Sequence, residues 1–136
     1  MRFILALLTI ILLSSCLTEA GQQNGADKIV TSLHQAILTH DWDKAAKLYS
    51  KDFFKEEPRE HWQQHFKDLE ESLGKIESFK ISSKHKDPRY GGDFYIYSVF
   101  VQHQHGYSNE IITIYSGLDN HKLKITGYKM TARKHQ

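Results

Sequence analysis

The sequence predicts an α+β domain, with helices first and an antiparallel sheet after them. Three observations carry that prediction. Between Asp27 and Gly74 the apolar residues recur at helical spacing. From Lys75 onward they alternate with a period of two. The alternating segments follow one another through short turn-rich stretches, which join neighbours as hairpins and make the sheet antiparallel.

The helical half divides into three. Asp27 to Thr39 places Ile29, Val30, Leu33, Ala36 and Ile37 on one face. Asp41 is a suitable N-cap for a short second helix that turns Trp42, Ala45, Ala46 and Tyr49 inward. Pro58 suits the first position of a third, in which Trp62, Phe66, Leu69 and Leu73 form a stripe and Gly74 ends it.

In the strand half, Lys75 to His85 alternates, with Glu77, Phe79 and Ile81 on one side. Lys86 to Gly92 holds Pro88, Gly91 and Gly92 and reads as a loop or hairpin connection. Asp93 to His103 is a strong strand, with Phe94, Ile96, Ser98 and Phe100 opposed to Tyr95, Tyr97, Val99 and Val101. Glu110 to Leu118 sets Ile112 and Ile114 against Ile111, Thr113 and Tyr115. Asp119-Asn120 suits a two-residue turn into a last strand, Lys122 to Thr131, with Leu123 and Ile125 inward and Lys122 and Lys124 toward water. The middle strands are apolar on both sides. One face covers the helices, and the other calls for a cavity, a dimer face or a partner.

Composition narrows the function classes. At 40% hydrophobic residues the chain is globular in type, and a formal charge of +2 gives no reason to expect a nucleic-acid partner. Cys16 is the only cysteine, so the folded part has no disulfide. No cofactor-binding motif is present, and no cofactor is expected. Arg2 followed by an apolar run from Phe3 to Leu13 has the form of a signal peptide, because a membrane-spanning helix needs roughly 20 apolar residues.

Leu13-Ser14-Ser15-Cys16 resembles the lipobox of bacterial lipoprotein precursors. That resemblance implies cleavage before Cys16, diacylglycerol on its thiol and, in many bacteria, a further acyl chain such as palmitate on the new amine. Two or three chains make a stable membrane tether. The alternative is an ordinary secretory signal with an accidental cysteine. Leu17, where the lipoprotein pattern puts aspartate for inner-membrane retention, implies the outer membrane facing the periplasm in a Gram-negative host. The expected organisation is a signal peptide at 1–15, a lipidated Cys16 with a flexible tether over 16–26, and one domain over 27–136.

The order of elements also looks familiar. His40-Asp41-Trp42-Asp43-Lys44-Ala45-Ala46-Lys47-Leu48-Tyr49, then Phe53-Phe54, Pro58, Trp62, Leu73-Gly74 and the late Lys124-Ile125-Thr126-Gly127-Tyr128 resemble the cystatin-like, nuclear-transport-factor-two-like superfamily. The likeness covers about residues 27–131 and is nearest to its small exported domains of unknown function. It implies a cone: three N-terminal helices packed on a curved antiparallel sheet of about four strands, often with a pocket at the open end. The superfamily holds enzymes, ligand binders and interaction domains, so fold alone does not decide function.

Few residues propose chemistry. Superfamily enzymes set a carboxylate or a His–Asp pair inside the cone, where apolar surroundings shift an acid's pKa. Here the strand interiors offer tyrosines and no acid, since Asp93 and Glu110 fall at strand starts, which are ordinarily solvated. Tyr95, Tyr97, Tyr115 and Tyr128 are the candidate binding surface, because tyrosine joins apolar area to a polar handle; packing in the cone is the alternative. Among nine histidines, His61 and His65 stand four apart on the third helix and are weak metal candidates. The run between them holds Gln63 and Gln64 and lacks the glutamate that a zincin helix needs adjacent to its first histidine, and exposed histidines on a helix flank are the plainer reading. His103 and His105 read as part of a loop with Gly106. Lys122, Lys124, Lys129, Arg133 and Lys134 make a basic C-terminus, most simply a solvated edge.

The resulting expectation is a membrane-anchored lipoprotein of the cell envelope. Its domain binds a small apolar ligand or an envelope protein, with no catalytic residue identified. A small-molecule isomerase or hydrolase using the cone cavity, or a scaffold dimerising through its sheet, are the alternatives.

Overall fold

The computed structural model describes residues 21–136. The expected signal peptide, Cys16 and residues 17–20 lie outside the described residues. Within them the chain runs from a helix α1 at residues 21–38, through α2 (Trp42–Lys47), α3 (Phe53–Glu56) and α4 (Arg59–Leu73), into β1 (Ile76–Arg89), β2 (Gly92–His103), β3 (Gly106–Gly117) and β4 (Leu123–Lys134). The strands form one antiparallel sheet in the order β1-β2-β3-β4. Helices followed by an open, curved four-stranded sheet make an α+β fold consistent with a cystatin-like cone.

The helix boundaries follow local chemistry. α1 already covers residues 21–26, which the sequence places in a flexible tether. Ala26 is completely buried there, and the Gln23 amide donates to the Tyr97 hydroxyl at 2.7 Å, so tertiary contacts recruit a polar stretch that has no helical stripe of its own. Asp41 caps α2 as expected, its side chain accepting from Lys44 N at 3.1 Å. Phe53–Glu56 adds a short helix between the second and third expected ones. Pro58 stands one place before α4, at its N-cap, and Gly74 ends α4 with φ of 79°, a conformation that favours glycine.

Three strand expectations are corrected. Glu77 is exposed and does not share a side with Phe79: an irregularity between Ile76 and Ser78 lets Ile76 take the inward place, beside Phe79 and Ile81. The loop expected over Lys86 to Gly92 shrinks to Tyr90 and Gly91, because β1 stays paired with β2 as far as Arg89 opposite Gly92. Asp119-Asn120 is not a two-residue turn, since the connection from Gly117 to Leu123 takes five residues.

One face of the sheet carries Tyr95, Tyr97, Val99 and Val101 of β2 and Ile112 and Ile114 of β3, all buried against the stripe of α1 (Val30, Leu33, Ala36, Ile37). Burying such side chains contributes about 1.5–3 kcal/mol each. A second, aromatic part of the core joins α2, α3 and α4 to β4. Tyr49 lies 4.6 Å from Phe53 and 5.2 Å from Trp62, Trp62 lies 5.5 Å from Phe66, and Phe66 lies 5.5 Å from Tyr128, between ring centroids. Ser50 N to Ile125 O (2.8 Å) and Ile125 N to Leu48 O (2.9 Å) fasten the end of α2 to β4. α3 is thereby held beside the β4 edge of the sheet.

Candidate functional site

Two places gather chemically capable side chains. The first is inside the cone. His34 sits within the apolar stripe of α1, between Leu33 and Ile37, and is fully enclosed. Its Nδ1 donates to Val30 O at 2.8 Å, its Nε2 lies 2.7 Å from Glu110 Oε2, and its ring stacks on Phe79 at 4.5 Å. A carbonyl only accepts, so Nδ1 must carry a proton. The short contact between Nε2 and a carboxyl group then requires a second proton shared between them. The pair is an imidazolium–carboxylate or a neutral imidazole accepting from a carboxylic acid. Burial pushes the His34 pKa down, but the hydrogen bond and charge of Glu110 outweigh it, and the net direction is up.

Glu110 corrects the sequence reading directly. It is not a solvated strand start: β3 begins at Gly106, and Glu110 shares the inward parity of Ser108, Ile112 and Ile114, with 2% exposure. Tyr128 turns its hydroxyl inward toward Glu110 and toward Met130 Sδ at 3.8 Å. Burial first, and then the charge of Glu110, push that hydroxyl's pKa well up. The Tyr49 hydroxyl and the Trp62 indole N–H are buried nearby without a well-formed hydrogen bond. A cavity of about 210 Å³ bordered by Trp62, Phe66, Tyr128 and Met130 opens on one side of this cluster. One of about 80 Å³ bordered by Phe66, Leu69, His103 and Glu110 opens on the other.

The second place is the opposite face of the sheet. Phe94, Ile96 and Phe100 of β2 are half-buried there, and Ile111 of β3 is exposed. A groove of about 940 Å³ runs between this face and α3. Its floor is Phe94, Ile96, Ile111, Thr113 and Tyr115, with Gly127 and Lys129 of β4, and its wall includes Asp52, Phe53, Glu56 and Glu57. Phe94 and Tyr115 pack together at 4.9 Å, and the Tyr115 hydroxyl donates to Gly91 O at 2.7 Å.

The four tyrosines named from the sequence do not share a surface. Tyr95 and Tyr97 are buried against α1. Tyr97 donates to Asp27 Oδ1 at 2.6 Å and accepts from Gln23, and Lys84 Nζ pairs with Asp27 Oδ2 at 2.9 Å. Burial raises the Asp27 pKa, but the bonds from Tyr97 and Lys84 hold it below its usual value. Tyr115 is on the far face, in the groove. Tyr128 reaches both the groove and the interior cavity. His61 and His65 are exposed on α4, and His65 borders the 210 Å³ cavity. No group of three or more His, Cys, Asp or Glu side chains fit to hold a metal forms among the described residues. His103 closes β2 as a buried residue between Gly74 O (3.1 Å) and Ser108 Oγ (3.2 Å), and only His105 belongs to the turn.

Sequence reasoning missed His34 and Glu110 as a pair. The signals were a histidine inside an apolar helical stripe and a glutamate in phase with Ile112 and Ile114.

No protein-family model and no curated protein matches the chain. Among solved structures it is similar to Bdellovibrio bacteriovorus Bd1075, with a TM-score of 0.55 and 18% identity, over 83% of this chain and 41% of that one. The chain thus spans less than half of that protein's length, and at this identity the likeness is one of fold. Among the described residues no helix is long and apolar enough to cross a membrane.

Proposed function

We propose that the protein is a cell-envelope lipoprotein, tethered by lipid on Cys16, whose domain binds a small ligand in the groove between the outer sheet face and α3. The groove is the observation that carries this reading. At about 940 Å³ it is in the size range of small-molecule sites, and its floor is mainly aromatic and aliphatic. Glu56 and Glu57 stand on its wall with no ion pair among the described residues and outnumber Lys129 on its floor, so the ligand that fits is an apolar molecule carrying a basic group. The test is a native mass spectrum of the acylated protein gently extracted from its own membrane, beside Ile111→Arg. A retained small molecule lost in the variant is the expected result. A wild-type chain that carries only its acyl groups removes the ligand reading.

A second reading, a small-molecule enzyme working inside the cone, is favoured by the enclosed Glu110–His34 pair beside the Tyr128 hydroxyl. In it Glu110 exchanges a proton with a substrate while His34 sets its charge and Tyr128 donates a hydrogen bond. Phe66 borders both interior cavities. Shifts of the His34 ring NMR signals on titration with small carbonyl compounds support this reading, and an unchanged spectrum counts against it.

A further inference from the structure

The end of the molecule where α1 enters the described structure also carries the two most exposed large apolar side chains among the described residues. Tyr90, at the β1–β2 tip, is fully exposed, and Leu118, in the β3–β4 connection, is 63% exposed. The two tips touch, Leu118 N donating to Gly91 O at 3.2 Å. The first turns of α1 lie at the same end. Gln22 accepts from Ser116 Oγ at 3.4 Å, and the Gly25 backbone is pressed so close to Leu123 that a Cβ there would stand 2.7 Å from its Cδ1.

We infer that Tyr90 and Leu118 form a contact tip for the bilayer surface, which orients the domain on its membrane. The inference rests on the Cys16 tether proposed above. Five steps of chain separate Cys16 from Gly21, and that length reaches at most about 18 Å. Lipid on Cys16 therefore holds this end of the domain close to the membrane, while the far end of α1 at Leu38 is about 26 Å further along the helix. A tyrosine ring with its hydroxyl suits the interface between headgroups and acyl chains, and a leucine suits the layer just below it. Charge does not drive the contact. Arg89 pairs with Asp87 and Lys86 with Asp93, and Lys122 is offset by Asp119 in the same connection. The attachment is apolar and holds on zwitterionic lipid. One leucine and one tyrosine are too little to bind a free domain, so the tip works only because the tether keeps it within reach.

The experiment uses the full acylated protein in zwitterionic vesicles that contain spin-labelled lipid. Because acylation blocks the Cys16 thiol, a fluorophore is placed singly by Tyr90→Cys, Leu118→Cys or Leu38→Cys. The 54% exposed Leu38 at the opposite end of α1 is the control. The expected result is a several-fold loss of emission at positions 90 and 118 with little change at 38. Equal quenching at all three, or none at 90 and 118 in protein whose mass shows the acyl groups, overturns the tip while leaving the tether intact. A mass without acyl groups overturns the tether and the tip with it.

Discussion

Replacing Glu110 separates a charged buried pair from a merely hydrogen-bonded one. Glu110→Ala leaves His34 enclosed, with Nε2 unpartnered and a small void beside it. Breaking a buried pair from one side costs about 3–5 kcal/mol. For a domain of this size that corresponds to a fall in Tm of about 10–20 °C. Glu110→Gln behaves differently. Its amide donates to Nε2 of a neutral His34 while Nδ1 still donates to Val30 O, so every polar atom of the ring keeps a partner and the loss is about 1 kcal/mol. The pH dependence distinguishes the two states further. The folded His34 pKa is raised, so its stabilisation is fully present below the ordinary histidine value of 6.5 and is lost as pH rises through the folded value. Over that window the wild type loses at most about 1.4 kcal/mol per pH unit. Thermal unfolding by circular dichroism between pH 5 and 9 reads this directly. The wild type declines above pH 6.5, and Glu110→Gln declines less. Identical pH slopes for the two proteins would refute the charged-pair reasoning.

Other substitutions address the rest of the structure. Tyr97→Phe removes the hydroxyl that joins Asp27 to Gln23 and lowers stability by about 1–2 kcal/mol, measured by urea unfolding. Gly106→Ala presses a methyl against Arg133 O and sets it 2.7 Å from Leu73 Cδ2, so it destabilises by about 1–3 kcal/mol, and Tm falls accordingly. Asp41→Ala removes the α2 cap and costs about 1 kcal/mol in the same assay. Ile111→Arg, on the exposed groove floor, changes stability by no more than about 0.5 kcal/mol, so its loss of retained ligand in the mass spectrum reports binding.

How far the sequence was legible depends on the range of the interaction involved. Most features set by neighbours a few places away, the Asp119-Asn120 turn and the exact place of Pro58 excepted, read as the structure has them. The stripes of α1 and α4, the Asp41 cap, the Gly74 stop and the opposed faces of β2 and β3 are all of this kind. Where the fate depends on a distant partner, it was hidden. Residues 21–26 are polar and lack a stripe, yet Tyr97 and the neighbouring core draw them into α1. The irregularity at Ile76 and Ser78 is set by pairing with β2, and it moves Glu77 outward. Tyr95 and Tyr97 resemble Tyr115 in composition, but strand parity decides which of them meets water, and the sequence does not say which face the helices cover.

The sequence by itself determined the class of the domain, the order of its elements and the periodicities that bury its apolar residues, because short-range sterics and hydrophobic spacing act along the chain. Only the tertiary structure decided that His34 and Glu110, separated by 76 positions, share a proton in the core. It also decided that α3 stands off the sheet to form a groove and that Tyr90 and Leu118 meet at the end where α1 enters. The physical reason is the same in each case: burial changes what a polar or apolar group can do, and burial is a property of the assembled fold.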